Sequence, residues 1–319
     1  MKKYISKYLI IVCISLFLIV SFMGTLNAAE KKLLIGVTFT SENAEYWQSL
    51  KKPTLENIEK MGGDIIFLAA EDNAIVQMSQ MEDFVTKEVD AIIIVAADSE
   101  ASVPAVNSAV EAGIPVIAMD RVVSEGGKVS CYVGTDNVLA GEMVAEYIAK
   151  NLNGKGNVVI LNGPPEAIVA RDRAKGFLLG LSKYPEIIVL AEKWSSNRRV
   201  DNMKVMEDLL VTFPKIDGVL GFSDNNSLGA SDAIISAGLQ NQIIIGSIDG
   251  MTEVVKLMLS GGKNFPIIVT VAQDPPMMAK YAALVAFEAA SGNKVPTSIN
   301  TWIGGITSNN AEEYLKSLE

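Results

Sequence analysis

The 319-residue chain contains no histidine. That removes the commonest general base, the Ser-His-Asp arrangement and most zinc and haem ligation. Cysteine is almost as scarce, with only Cys13 and Cys131. Cys13 lies in an N-terminal apolar run, so the body keeps one thiol and forms no internal disulfide. Cys131 reads as a small core hydrophobe. Basic charge is also short: 27 Lys and Arg stand against 37 Asp and Glu, a net −10. An acidic body argues against nucleic acid, whose phosphates need a basic face. No Gly-rich loop of phosphate-cradling spacing precedes a helix, so a nucleotide ligand is not expected. No low-complexity linker divides the chain.

What is present begins with a sorting signal. Lys2, Lys3 and Lys7 precede an uncharged run from Tyr8 to Ala29. This is the layout of an export signal, with cleavage near Ala28 or Ala29. The run is also long enough to span a bilayer, with its basic end cytoplasmic. Cys13 follows Val12 rather than the Gly or Ala of a lipoprotein signal. Residues 1–29 are therefore expected to be an export signal or an N-terminal membrane anchor, and the body extracytoplasmic.

From Leu33 onward, strand-like runs alternate with helical ones. Ala91 to Ala97 is continuously apolar, the mark of a strand buried on both faces. Val76 to Glu88 carries Met78, Met81, Phe84 and Val85 at helical spacing, which reads as core. The alternation repeats to Ser291 and means βαβ units with parallel sheets. Ten strands are many for one open sheet, so the expected fold class is α/β with two Rossmann-like lobes. Residues 309–319 read as a short surface helix.

The chain is organised around Ile114-Pro-Val-Ile-Ala-Met-Asp120-Arg121. This buried strand ends in an acid beside a base, at the sheet edge where α/β ligands sit. Asp accepts hydrogen bonds and Arg donates up to five, a pairing suited to a polyhydroxylated ligand. Other strands end in Asp98, Ser223-Asp224-Asn225, Asp249 and Gln273. Asp and Asn also cap helices, so each alone admits that role. Their recurrence in both halves favours a shared cleft.

These residues, in this order, resemble the type I periplasmic binding proteins, in the ribose-binding branch that shares its fold with LacI-type repressors. The matching stretches are Gly113 to Arg121, Gly134 to Gly141, Ala170 to Phe177, Asp224 to Ala230, Ile248-Asp249-Gly250 and Val271 to Pro275. The resemblance implies a three-segment hinge. It also implies an N-terminal lobe of residues 30–134 with 274–302, and a C-terminal lobe of 135–273 with 303–319. Crossings are expected near Gly134–Asp136, near Gln273 and near Trp302–Ile306.

By the same resemblance, Asp120, Arg121, Arg171, Asp249 and Gln273 match the family's polar sugar contacts. Tyr46 and Trp47 match its two stacking aromatics, although one of them could equally be first-helix core. Asn43 or Glu45 takes the place of the family's Asn, since Ala44-Glu45 stands where Asn-Pro is usual. A third aromatic falls at Asn197 or at Trp194, and Ser223 replaces an Asn. The implied function is a receptor that closes on one monosaccharide, with no cofactor and no catalysis. Its partner is either the membrane subunits of an ABC importer or a membrane histidine kinase. A glycosidase-like pairing of Asp120 with Asp249 is set aside, because each Asp already has a hydroxyl-binding role. A repressor is also set aside, because the export signal occupies the place of a DNA-binding headpiece.

Overall fold

The computed structural model describes residues 32–43 and 45–318. The N-terminal segment 1–29 and Ala44 lie outside the described residues. In chain order the elements are β1 (Leu34–Phe39), α1 (Glu45–Lys60), β2 (Asp64–Ala69), α2 (Ala74–Thr86), β3 (Ala91–Ile94), α3 (Val103–Glu111), β4 (Val116–Met119) and β5 (Cys131–Gly134). They continue with α4 (Asn137–Asn151), β6 (Lys155–Asn162), α5 (Ile168–Leu181), β7 (Glu186–Trp194), α6 (Arg199–Thr212), β8 (Gly218–Gly221) and α7 (Asp224–Ser236). The last are β9 (Ile244–Asp249), α8 (Thr252–Gly261), β10 (Ile267–Ala272), α9 (Pro275–Ala290), β11 (Ser298–Asn300), β12 (Gly304–Ile306) and α10 (Ala311–Ser317).

The strands form two six-stranded sheets, ordered β11-β5-β4-β3-β1-β2 and β12-β10-β9-β8-β6-β7. All pairings are parallel except β10 with β12. Each sheet is covered on both faces, which explains the continuous apolar strands. In the first sheet Ile35, Val37, Ile93 and Ile117 pack towards α1 and α9, through Leu50, Ile58, Met278 and Ala282. The alternate residues Ile92, Ile94, Val116 and Ala118 pack towards α2 and α3, through Met81, Phe84 and Val106. The second sheet repeats this division. Cys131 is fully buried in the first core.

The chain passes between the lobes three times. After β5 it enters α4, which packs on the second sheet. After β10 it returns through Gln273 to α9, which packs on the first. Between β11 and β12 it crosses again, at Thr301–Ile303. Hydrogen bonds tie the crossings together: Thr135 Oγ1 donates to Gln273 Oε1 at 2.7 Å, and Thr301 N to Gly134 O at 2.8 Å.

Two elements exceed the ten expected strands. β11 and β12 are three-residue pieces of sequence Ser-Ile-Asn and Gly-Gly-Ile, too short to carry a period, and sheet pairing alone makes them strands. Helix α7 starts at Asp224, four residues ahead of its first apolar side chain, Leu228, because its first turn, Asp-Asn-Asn-Ser, is polar.

Candidate ligand-binding cleft

The cleft lies where the carboxyl ends of the two sheets face each other. In the N-terminal lobe β4 delivers Asp120, whose φ of +61° is a strained value for a non-glycine residue. Tyr132 Oη donates to the Asp120 carbonyl at 3.0 Å and holds this turn. Tyr46 Oη donates to Asp120 Oδ1 at 2.5 Å. The Arg121 side chain turns to the ends of β1 and β3, the point where strand order reverses. Its Nη1 lies 3.4 Å from Thr40 Oγ1 and 3.3 Å from Ala97 O. Its guanidinium also lies 5.1 Å from the ring centre of Trp47, within cation–π range.

In the C-terminal lobe Asp249 ends β9 with φ +134°. Its Oδ1 accepts from Gln273 Nε2 at 2.9 Å and from Arg173 Nη1 at 3.3 Å. Arg173 Nε donates to Asn137 Oδ1 at 2.8 Å, and its Nη1 donates to Phe222 O at 2.8 Å. Glycine makes this arrangement possible. A Cβ on Gly176 would stand 2.1 Å from Val138 O, and one on Gly141 would stand 2.3 Å from Arg173 O. Only bare backbones let α4 and α5 touch there and bring Arg173 onto Asn137.

Behind Asp249 lies a second, fully buried acid. Asp224 Oδ1 accepts from Ser247 Oγ at 2.5 Å and Thr270 Oγ1 at 2.8 Å, and its Oδ2 accepts from Met251 N at 2.7 Å. These bonds fix the strained turn that follows Asp249. Burial pushes the Asp224 carboxyl up, and the Asp249 charge adds to the shift. Burial also raises Asp249 despite Arg173, and Asp120 despite Tyr46 and both arginines. Two arginines set against these acids suit a neutral ligand rich in hydroxyls, which donates to carboxylates and accepts from guanidinium.

The structure gathers Tyr46, Trp47, Asp120, Arg121, Asn197, Ser223, Asp249 and Gln273 around this space. Trp47 serves two purposes: it packs with Leu50 and Ile58 in the core and lines the mouth of the cleft with Arg121 and Asn197. That mouth is a cavity of about 670 Å³. Ser223 Oγ donates to Asn197 Oδ1 at 2.5 Å and caps α7. Asn43 stands at the rim, where its Nδ2 donates to Glu71 Oε2 at 2.6 Å.

Two expectations need correction. Arg171 does not enter the cleft. Its side chain is 43% exposed, and its Nη1 lies 3.5 Å from Glu100 of the other lobe. Arg173, 5% exposed, takes the place expected of it. The reason is helical phase: two residues rotate about 200° around an α-helix, onto the opposite face. Ala170, Ala174, Phe177 and Leu181 marked the buried face of α5, and Arg173 belongs to it. Trp194 is 42% exposed at the end of the edge strand β7 and does not line the mouth, whereas Asn197 does. Asn137 and Asp224 were passed over as functional residues. Asn137 sits inside the Gly134–Gly141 stretch, and Asp224 inside the Ser223-Asp224-Asn225 strand end, where a helix-capping role explains it equally well.

The lobes touch at the rim. Thr252 N, in the first turn of α8, donates to Glu45 Oε1 at 3.1 Å. Ile168 N, which opens α5, donates to Ser99 Oγ at 3.3 Å. Neither helix has a side-chain cap from its own N-cap residue. Side chains of the N-terminal lobe therefore cap two helices of the C-terminal lobe, and the arrangement is closed.

A family model for the periplasmic binding protein domain matches residues 35–294. This chain belongs to the periplasmic binding proteins. It falls in the ribose-binding branch of type I: the ribose import binding protein of Bacillus subtilis is 33% identical over 308 residues, spanning 94% of this chain and 97% of the relative. A xylitol-binding protein of Mycolicibacterium smegmatis is 32% identical, over 87% and 78% of the two chains. Among solved structures, an ABC transporter solute-binding protein of Bacillus halodurans with bound myo-inositol superposes with a TM-score of 0.84. It shares 27% identity and covers 90% of this chain and 99% of its own. Like these periplasmic binding proteins, the chain is a solute-binding protein and not an enzyme. Among the described residues no helix is long and apolar enough to cross a membrane.

Proposed function

We propose that this protein is an extracytoplasmic receptor that closes on one monosaccharide, a pentose or hexose with pentose favoured, and delivers it to an ABC importer. The observation that carries the reading is the opposition of Asp120 and Arg121 from one lobe to Asp249, Arg173 and Asn137 from the other. Hydrogen bonds to charged groups in such a cleft are worth roughly 1.5–3 kcal/mol each. A ligand favours closure only through contacts that the open form lacks. On this reading the lobes are residues 30–134 with 274–302, and 135–273 with 303–319. The ligand-binding set is Asn43, Tyr46, Trp47, Asp120, Arg121, Asn137, Arg173, Asn197, Ser223, Asp249 and Gln273. Two of the named relatives bind ligands of five carbons, ribose and xylitol, which supports a pentose, and the third holds myo-inositol, of six. Import is the role in the Bacillus relative's name, which supports an importer over a sensor kinase.

Thermal melting of residues 30–319 against a panel of monosaccharides tests the proposal. A ligand that binds only the folded form adds about 2.7 kcal/mol at a hundred times its dissociation constant. A clear upward shift with one pentose or hexose is the expected result. No shift with any sugar overturns the reading.

A further inference from the structure

One contact in the cleft belongs wholly to one lobe. Tyr46 Oη donates to Asp120 Oδ1 at 2.5 Å across 74 residues of sequence. Tyr46 stands in the first turn of α1 and Asp120 at the end of β4, so the bond persists when the lobes part. Among the described residues, the Tyr46 hydroxyl is the one side-chain donor on Asp120, since Arg121 turns away to Thr40, Ala96 and Ala97. The Tyr46 ring is itself held edge-on against Trp47, with centroids 5.2 Å apart at 73°. From the other side the charges of Asp249 and Arg173 reach the same hydroxyl. Tyr46 and Asp249 also line one cavity of about 470 Å³ between the lobes.

A tyrosine hydroxyl carries one proton and two lone pairs. Here the proton is committed to Asp120, and burial together with the Asp120 and Asp249 charges keeps the phenol protonated. The oxygen is left as an acceptor, next to the second oxygen of Asp120. We propose that Tyr46 is a specificity residue: its oxygen and Asp120 Oδ2 form a fixed pair of acceptors for two hydroxyls on adjacent carbons of the ligand. The inference rests on the sugar-receptor reading and deepens it. It assigns the hydroxyl of Tyr46, not its ring face, to recognition. A ligand without either hydroxyl leaves a buried acceptor unpaired, the most effective kind of rejection.

Calorimetric titration tests this with D-ribose, D-xylose and D-galactose and the single-position deoxy analogue of each at every available carbon. The wild-type protein is expected to bind one parent sugar and to lose at least tenfold in affinity at two neighbouring deoxy positions. Tyr46→Phe keeps the ring on Trp47, and should shrink the penalty at one of these positions to within about threefold, two decades or less of affinity being at stake. Asp120→Asn keeps the shape and should shrink the penalty at the adjacent carbon. Each variant thus tests the pair independently if the other fails to fold. Unchanged penalties in the folded variants, or two affected carbons that are not neighbours, overturn the proposal while leaving the receptor reading intact. Failure of the wild-type protein to bind any parent sugar overturns both.

Discussion

The two arginines of α5 offer the sharpest test of how the cleft is built. Arg173→Ala removes donors to Asn137, Phe222 O and Asp249. It also leaves the Asp249 carboxylate buried beside Asp120 and Asp224 without its cationic partner. Removing one member of a buried ion pair costs about 3–5 kcal/mol, reduced here because Asp249 can take up a proton. Loss of even one charged hydrogen bond to the ligand, at roughly 1.5–3 kcal/mol, lowers affinity about tenfold to a hundredfold or more. Arg171→Ala removes a half-exposed pair with Glu100, in a class worth about 0–1 kcal/mol. Its effect on affinity should stay within about fivefold. Titration of both variants with the sugar that shifts the melt, alongside their ligand-free melting curves, gives the comparison. Arg173→Ala should lower both affinity and melting temperature, and Arg171→Ala should change affinity slightly and melting hardly at all. If Arg171→Ala proves as damaging as Arg173→Ala, the phase assigned to α5 is wrong.

Three further outcomes follow from the geometry. Glu45→Ala and Ser99→Ala each delete a cap made only across closed lobes; each should weaken ligand affinity by about threefold to tenfold, at roughly 0.5–1.5 kcal/mol per cap. The ligand-free melt should not move, and a fall there with unchanged affinity would show that the caps stabilise the lobes instead. Gly176→Ala places a Cβ against backbone on α4 and should cost about 1–3 kcal/mol, seen as a melting temperature several degrees lower. A variant that melts like the wild type would mean that the helices separate freely. Finally, Asp120, Asp224 and Asp249 have folded pKa values raised by burial. Between the ordinary aspartate value, about 4, and those raised values, the folded state binds more protons than the unfolded one. Stability should therefore rise as pH falls from 8 to 5. Ligand-free melting temperatures that decline steadily over that range would contradict this.

Much of the architecture was legible in the order of residues. Ala91 to Ala97 is apolar at every position because both faces of its sheet are covered. Asp120 and Asp249 could be read as cleft residues because a parallel strand must deliver its last residue to one edge of the sheet. Helix α7, which begins at Asp224, was legible only from its apolar middle, since a polar first turn has no period to detect. Arg171 and Arg173 differ by two positions in a motif that names both. Which of them faced inward depended on where α5 starts and on how closely Gly141 and Gly176 let α4 approach.

Local pattern alone thus determined the two parallel sheets, the double cover of helices and the acidic and basic strand ends. These follow from burial and from side-chain period, which act over a few residues. Tertiary structure decided what meets across long stretches of chain: Tyr46 with Asp120, Arg173 with Asp249, Glu45 with the first turn of α8, and the pairing of β11 and β12. Such contacts depend on the mutual orientation of packed elements, and no period within one segment encodes the position of another.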